Sequence, residues 1–262
     1  MDISIIILNY KSKGFTLNCI KSIKEADFGD LKKEIIVVDN NSEDSIGDIL
    51  AWQYSDVVFV QNKENLGMGA GNNAGIKKAQ GEYIVIMNPD TLAFKDTFLK
   101  LHKYIEENPA VGVVGPKQLN PDKTIQDSCY RWYSVFTPLY RRTPLARFSF
   151  AKKDLDRFLM KDFDKTSEKD VDWLLGSFLF CRGKALDQSG LFDKRFFLYF
   201  EDTDICRRFW QNDWRVVYYP DAQIIHNHNR QSAQVKWYKF FTNPATRHHI
   251  ASWVKYMRKW NF

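Results

Sequence analysis

Glu34-Ile-Ile-Val-Val-Asp39-Asn40-Asn41-Ser42 joins an unbroken apolar run to a cluster of short polar residues. Four β-branched residues in a row, too few for a helix, read as a strand buried on both faces. Similar runs occur at Ile3 to Leu8, Val57 to Val60, Tyr83 to Met87 and Val111 to Val114. Between them the apolar residues shift to helical spacing, as in Thr16, Cys19, Ile20 and Ile23, then Ile46, Ile49 and Leu50, then Phe98, Leu101, Tyr104 and Ile105. This alternation predicts an α/β fold, with a mostly parallel central sheet flanked by helices and joined by right-handed crossovers.

The polar clusters behind the strands indicate where a ligand would sit, because open α/β sheets bind ligands outside the carboxyl ends of their strands. Asn9-Tyr10 follows the first strand, Asp39 to Ser42 the second, Gln61-Asn62 the third and Asn88-Pro89-Asp90-Thr91 the fourth. Asn40, Ser42 and Thr91 read as turn formers and helix caps. Asp39 and Asp90, acids at the ends of separate strands, read as ligand contacts.

The stretch Gly67-Met-Gly-Ala-Gly-Asn-Asn-Ala-Gly75 competes with that reading. Gly69, Gly71 and Ala74 meet the dinucleotide fingerprint, and the acid Asp90 follows about 20 residues on. The context does not fit, since the polar run Gln61 to Leu66 separates the glycines from their strand and Asp90 lies past Pro89 in a turn. A nicotinamide-dependent oxidoreductase is therefore an alternative resting on one motif.

Beyond Pro116 the pattern loosens through Pro121, Pro138 and Pro144, with basic and aromatic residues at Tyr130-Arg131-Trp132, Tyr140-Arg141-Arg142 and Arg147. This reads either as a mobile loop region beside a site or as surface connection. Regular structure resumes at Val171 to Cys181, and an aromatic run then delivers Glu201, Asp202 and Asp204 into a helix start. Acids there complement the helix dipole, with Asp202 or Thr203 as N-cap and Asp204 pairing with Arg207 or Arg208. Two adjacent acids beside aromatic surface also suggest a carboxylate in a partly dry pocket, where a base is readily tuned. A strand from Trp214 to Tyr219 is expected to end at Pro220-Asp221, and His226, after Ile224-Ile225, could complete a metal site begun by Asp90.

The formal charge of +6 and pI near 9.0 invite a nucleic-acid reading, but charge informs about partners only where it clusters. It clusters in the tail: seven basic residues, Arg230, Lys236, Lys239, Arg247, Lys255, Arg258 and Lys259, follow Asp221, the last acid, and without them 31 basic residues face 32 acidic ones, a nearly neutral body with acids at its strand ends. No nucleic-acid partner is expected. A hydrophobic content of 44% excludes wholesale disorder. Cys19, Cys129, Cys181 and Cys206 are too scattered for a thiolate metal site and read as reduced core residues. Met1-Asp2-Ile3-Ser4 carries no basic signal-peptide region, and no apolar stretch approaches the roughly 20 residues of a membrane span, so a cytoplasmic protein is expected. The tail starts a helix at Asn243-Pro244 and repeats Ile250, Trp253, Val254, Met257 and Trp260 at helical spacing. That stripe either docks on the body or lies on a membrane, where Trp and basic residues favour an anionic interface.

Val37-Val38-Asp39-Asn40-Asn41-Ser42, Asn65-Leu-Gly67, Asn72-Asn73-Ala-Gly75, Gly81-Glu-Tyr83, Asn88-Pro89-Asp90, Gly176, Glu201-Asp202-x-Asp204 and His226 follow in this order. Together, over roughly residues 3 to 232, they resemble inverting, nucleotide-sugar-dependent glycosyltransferases of family two with the GT-A fold, particularly the bacterial rhamnosyltransferase-like branch. The resemblance implies a nucleotide-sugar-binding half at 1–115, an acceptor-binding and catalytic half of the same domain at 116–232, and a basic aromatic helical tail at 233–262.

It also implies roles. Asp39 would hydrogen-bond the donor's pyrimidine base, with Asn9, Tyr10 and Asn41 about the same pocket, and Asn65 and Gly67 would approach the nucleotide. Asn88-Pro89-Asp90 stands in place of the D-x-D metal motif. Asp90, with His226, would hold Mg²⁺ or Mn²⁺ on the donor diphosphate, while Asn88 departs from the commoner acid. Asp202 would be the catalytic base with Glu201 orienting it, and Trp173 and Gly176 would pack the acceptor sugar. The implied partners are a dTDP- or UDP-sugar, L-rhamnose among the sugars, and a saccharide or polyprenyl-diphosphate-linked acceptor of cell-surface polysaccharide, reached by peripheral contact with the inner face of the membrane through the tail. A non-catalytic nucleotide-sugar-binding protein would share every N-terminal feature.

Overall fold

The computed structural model of the protein describes residues 1–141, 143–227 and 243–261; His228 and the tail residues Arg230, Lys236 and Lys239 lie outside them. Strands and helices alternate first as β1 (Ile3–Asn9), α1 (Lys13–Glu25), β2 (Lys33–Asp39), α2 (Ile46–Gln53), β3 (Val58–Gln61), α3 (Met68–Ile76) and β4 (Tyr83–Met87). A short β5 (Thr91–Ala93) and α4 (Thr97–Glu107) lead to β6 (Val111–Leu119), then β7 (Ile125–Gln126) and β8 (Cys129–Tyr130). The looser middle holds α5 (Thr137–Tyr140), a 3₁₀ turn (Pro144–Arg147), α6 (Ser149–Phe158), β9 (Lys169–Asp170) and β10 (Trp173–Leu174). β11 (Phe178–Arg182), α7 (Gly183–Ser189), α8 (Glu201–Gln211), β12 (Arg215–His226) and α9 (Pro244–Lys259) complete the order.

Ten strands form one sheet in the order β3-β2-β1-β4-β11-β6-β12-β5, with β7 on β6 and β9 on β12; β8 and β10 pair separately. β1, β2, β3 and β4 run parallel, as their continuous Ile and Val runs predict. Alternate residues feed the two cores: Ile6, Leu8, Ile36 and Val38 on one face, Ile3, Ile5, Ile7, Ile35 and Val37 on the other. The helical positions Thr16, Cys19, Ile20 and Ile23, and Phe98, Leu101, Tyr104 and Ile105, are buried as expected. The four cysteines are also buried and unpaired.

Two antiparallel insertions bring distant chain to the carboxyl edge of the parallel strands. β11 lies antiparallel between β4 and β6, so its first residue, Phe178, pairs with Met87 at the end of β4. The preceding loop reaches the site edge, where Asn88 N donates to Ser177 O at 2.8 Å. β12 does not end at Pro220. The ladder with β6 breaks register between Tyr219 and Gln223 and resumes, a bulge that accommodates a residue without an N–H. The extension carries His226 beside Thr91 of β5.

The glycines of α3 are explained by packing. A Cβ at Gly71 would lie 2.7 Å from Leu8 Cδ1, and one at Gly75 would lie 2.6 Å from Ile6 Cγ2, so the helix sits directly on β1. That packing accounts for Gly71 and Gly75 without a bound dinucleotide.

α9 docks on the body, partly by the expected stripe. Trp253, Met257 and Trp260 pack half-buried against the core, Ile250 is half-buried and Val254 exposed, while the most buried residues are Thr246, His249, Ser252 and Tyr256 beside them. Polar bonds select this face: Ser252 Oγ donates to Leu198 O (2.9 Å), Lys259 Nζ contacts Asp204 Oδ1 (2.6 Å) and Trp260 Nε1 donates to the same oxygen (3.1 Å). Among the described residues no helix is long and apolar enough to cross a membrane.

Candidate active site

The first half of the site is built on Asp39 at the end of β2. Its Oδ1 accepts from Asn9 Nδ2 (2.7 Å), and Oδ2 accepts from Ser42 N (3.0 Å) and Gln61 Nε2 (2.9 Å). Burial alone would raise its carboxyl, but the donors from Ser42, Asn9 and Gln61 outweigh burial and hold it below the usual carboxylate range. Asp39 borders a cavity of about 420 Å³ with Asn41, Phe59, Gln61 and Asn62. Tyr10 stands exposed at the end of β1.

Asn9 has a different place from the one expected. It is fully buried, its Nδ2 bonded to Asp39, Ser42 and Asp44 and its Oδ1 accepting from Ser12 and Thr16 hydroxyls. It positions Asp39 instead of lining the pocket.

Asn40, expected to serve a turn, is also buried and ties three segments together. Its Nδ2 donates to Asn65 Oδ1 (2.9 Å) and Gly67 O (3.1 Å), while its Oδ1 accepts from Asn62 Nδ2 (2.9 Å) and Leu66 N (3.2 Å). Asn65 Oδ1 also accepts from Gly67 N at 2.9 Å. Gly67 has φ +80°, and a Cβ there would sit 2.2 Å from Phe197 O, so glycine alone fits where the two halves of the chain meet.

At the end of β4, half-buried Asn88 turns its carbonyl to Thr91, whose Oγ1 donates at 2.5 Å. Asp90 Oδ1 lies 3.5 Å from Nε2 of buried His226, whose Nδ1 contacts Gln126 Oε1 at 2.6 Å. An amide oxygen only accepts, so Nδ1 donates to Gln126 and Nε2 is the nitrogen turned to Asp90. A carboxylate beside an imidazole that is oriented by an outer partner fits a divalent cation whose other positions go to phosphate oxygens and water.

The second half is the start of α8. The N-cap is Phe200, not Asp202 or Thr203, and both Tyr199 and Phe200 have φ +68°. Two left-handed residues in succession are strained and persist only where packing enforces them. Phe200 is gripped by Tyr133 (4.8 Å between ring centroids), His249 (5.1 Å) and Tyr256 (5.2 Å). This geometry directs Glu201 and Asp202 inward.

Asp202 Oδ2 accepts from Gly176 N (3.0 Å) and its Oδ1 from Thr203 N (2.7 Å). Burial pushes its carboxyl upward, against those donors. Glu201 is pushed well above the usual range, first by burial and then by the charge of Asp202. Its Oε2 is buried without a hydrogen-bond partner. The proton of the pair therefore belongs on Glu201, leaving Asp202 as the carboxylate. Asp204 takes the structural role expected of it, fully buried and bonded to Arg208 Nε at 3.0 Å.

Trp173 is misplaced for an acceptor platform. It is 3% exposed, stacks on Tyr130 at 4.3 Å and donates its indole N–H to Arg131 O. The aromatics of that segment make a core of their own. Gly176 serves through its N–H: a Cβ there would lie 3.1 Å from Asp202 Cβ.

A parallel sheet edge with a carboxylate cavity at one end and a buried acid pair at the other is the arrangement of the GT-A class of glycosyltransferase folds. The chain belongs to glycosyl transferase family 2: the family's model matches residues 4–158, and that of glycosyl transferase family group 2 matches residues 83–261. It is 27% identical over 212 residues to N-acetylglucosaminyl-diphospho-decaprenol L-rhamnosyltransferase of Mycobacterium tuberculosis, covering 74% of this chain and 66% of that protein. It is 23% identical over 249 residues to rhamnosyltransferase WbbL of Escherichia coli, covering 92% and 88%. The mannosyltransferase PcManGT of Pyrobaculum calidifontis, solved with GDP-Man and Mn²⁺, matches the fold with a TM-score of 0.59 at 19% identity, over 97% of this chain and 69% of that one. The chain spans about two thirds of the length of the mycobacterial relative.

Proposed function

We propose that the protein transfers a sugar from a nucleotide-sugar donor to a hydroxyl of a saccharide acceptor, inverting the anomeric carbon, with Asp202 as general base. The observation that carries this reading is the buried acid pair at the start of α8, in which Asp202 accepts from the N–H groups of Gly176 and Thr203 while Glu201 keeps a buried oxygen without a partner. A base of this kind contributes about 10²- to 10⁴-fold.

At the other end, the Asp39 carboxylate, fixed by Asn9, Ser42 and Gln61 on the edge of the cavity, would accept an N–H of a nucleobase. Asn41 lines the same cavity, Tyr10 would close over the base from the end of β1, and the Asn40–Asn65–Gly67 tie holds the following loop. Asp90 and His226 would hold Mg²⁺ or Mn²⁺, which when bound neutralises the departing diphosphate. During transfer Asp202 takes the acceptor hydroxyl's proton, the hydroxyl oxygen bonds to the anomeric carbon, and the bond from that carbon to the diphosphate breaks on the opposite face.

The names of the mycobacterial and Escherichia coli relatives support L-rhamnose as the sugar, and that of the former supports an acceptor linked to a polyprenyl diphosphate. The test is a panel of dTDP- and UDP-sugars with a lipid-diphosphate saccharide, each with and without EDTA. Transfer from one donor that EDTA abolishes is the expected result. Thermal stabilisation by dTDP or UDP without turnover on any acceptor would instead mark a non-catalytic binder, and full activity in EDTA would remove the metal assignment.

A further inference from the structure

Outside the cleft, the surface around α5 and α6 has a composition that neither the sheet nor the site explains. Residues 128–153 contain six basic residues and no acidic one. Several large apolar side chains of the same segment face solvent: Phe136 is 56% exposed, Phe148 56%, Phe150 57% and Leu139 41%. They are contiguous, not scattered. Phe136 contacts Tyr140 (ring centroids 6.0 Å apart), Tyr140 contacts Phe150 (5.7 Å) and Phe150 contacts Phe148 (5.8 Å). An exposed apolar patch of this kind marks an interaction surface.

The charges about it are available. Arg141, Arg147, Lys152 and Lys153 are exposed, and among the described residues none of them has an acidic partner. The neighbouring acids are engaged elsewhere: Asp154 by Ser134, Thr137 and Arg157, and Asp172 by Arg131 and the Trp132 N–H. The tail differs. Its Lys255 donates to Arg195 O, and its Lys259 contacts Asp193 and Asp204, so part of its charge is spent in docking on the body.

We propose that the α5–α6 surface, and not the tail, seats the protein on an anionic phospholipid bilayer. Phe136, Leu139, Phe148 and Phe150 would enter the headgroup boundary, with Arg141, Arg147, Lys152 and Lys153 on lipid phosphates. A second copy of the chain is a poor occupant, because it would set two such basic faces against each other. The surface adjoins the acid pair through Tyr133, which packs on both Phe158 of α6 (4.6 Å) and Phe200 ahead of Glu201 (4.8 Å). This proposal goes beyond the glycosyl-transfer reading, and its test needs no turnover.

The full chain is sedimented with vesicles of phosphatidylcholine, with and without phosphatidylglycerol. The wild type should bind the anionic vesicles and release them in about 1 M salt, where the screening length falls to about 3 Å. Lys152→Gln with Lys153→Gln should lower the partition coefficient about fivefold per charge, about 25-fold for the pair. Phe148→Ser with Phe150→Ser should lower it at least as much, with an unchanged melting temperature because both rings are exposed. Arg247→Gln with Arg258→Gln on α9 should bind as the wild type does. Equal binding to both kinds of vesicle overturns the proposal, as does wild-type binding by the Lys or Phe variants. Tighter binding to a single-stranded oligonucleotide than to vesicles, or dissociation of a wild-type oligomer by the Phe variants, would also overturn it.

Discussion

Asp39 and Asp202 are both nearly closed to solvent, 3% and 8% exposed, yet their carboxyls shift in opposite directions. Desolvation acts upward on both. Asp39 sits at a strand end where two side-chain amides and a backbone N–H converge, and these donors prevail. Asp202 accepts from two backbone N–H groups and, at 3.4 Å, from the Thr203 hydroxyl, but it lies deeper among protein atoms and its neighbour is an acid with a partnerless oxygen. The donors and the depth of the surrounding protein together decide which site keeps a fixed charge and which is poised to accept a proton. A fixed acceptor suits recognition of a base, and a poised one suits catalysis.

The largest effect should come from Asp202→Asn. Turnover should fall about 10²- to 10⁴-fold while KM for the donor and the melting temperature stay close to wild type. The wild-type kcat/KM should decline as pH falls through the raised value of the pair, since only the carboxylate accepts the proton. Wild-type turnover by this variant would remove Asp202 as base. A loss of that size from Asp39→Asn, with donor KM unchanged, would erase the division between the two sites.

Asp39→Asn should act instead on binding and folding. Replacing one carboxylate oxygen by an amide N–H sets donor against donor at Asn9 or Gln61, costing about 1–3 kcal/mol. For a chain of this size that is a melting shift of about 2–4 °C per kcal/mol. Because the folded carboxyl is held low, its contribution is present above the unfolded value near 3.9 and is lost as pH falls through the folded one. The gap between variant and wild type should therefore close in acid. A gap independent of pH would mean that Asp39 acts by shape and not by charge.

The regions differ as much in legibility as in chemistry. Ile3 to Leu8, Glu34 to Val38 and Tyr83 to Met87 were readable because continuous β-branched runs and their helical spacers are local signals. The acids at the strand ends were readable for the same reason. Trp173 was not, since the two-residue strand carrying it exists only through the rings of Tyr130, Tyr133 and Phe158. Asn40 was misread because an asparagine behind a strand looks like a turn former, and Asn9 because the resemblance set it in the pocket; only the fold shows that each satisfies three or more distant groups. In α9 the apolar stripe gave part of the docked face, through Trp253, Met257 and Trp260, while polar anchors at Ser252 and Lys259 centre the buried side beside it.

The smallest effect tests the other member of the pair. If Glu201 is neutral when folded, its stability contribution is complete below its unfolded value near 4.3 and is lost as pH rises through the raised folded value. Glu201→Gln keeps the neutral shape and cannot ionise. Its stability should match wild type below about pH 4.3, exceed it by about 1.4 kcal/mol more for each pH unit from there up to the folded value, and keep a constant lead above that. The variant also removes the negative neighbour that Asp202 would face once Glu201 ionised, so the lower limb of the pH–rate profile should persist while any alkaline decline weakens. Parallel stability curves for the two proteins from pH 5 to 9 would show that Glu201 is already charged. Asp202 would then owe its raised value to a like charge beside it as well as to a dry pocket, and Glu201 could no longer be the member that holds the proton.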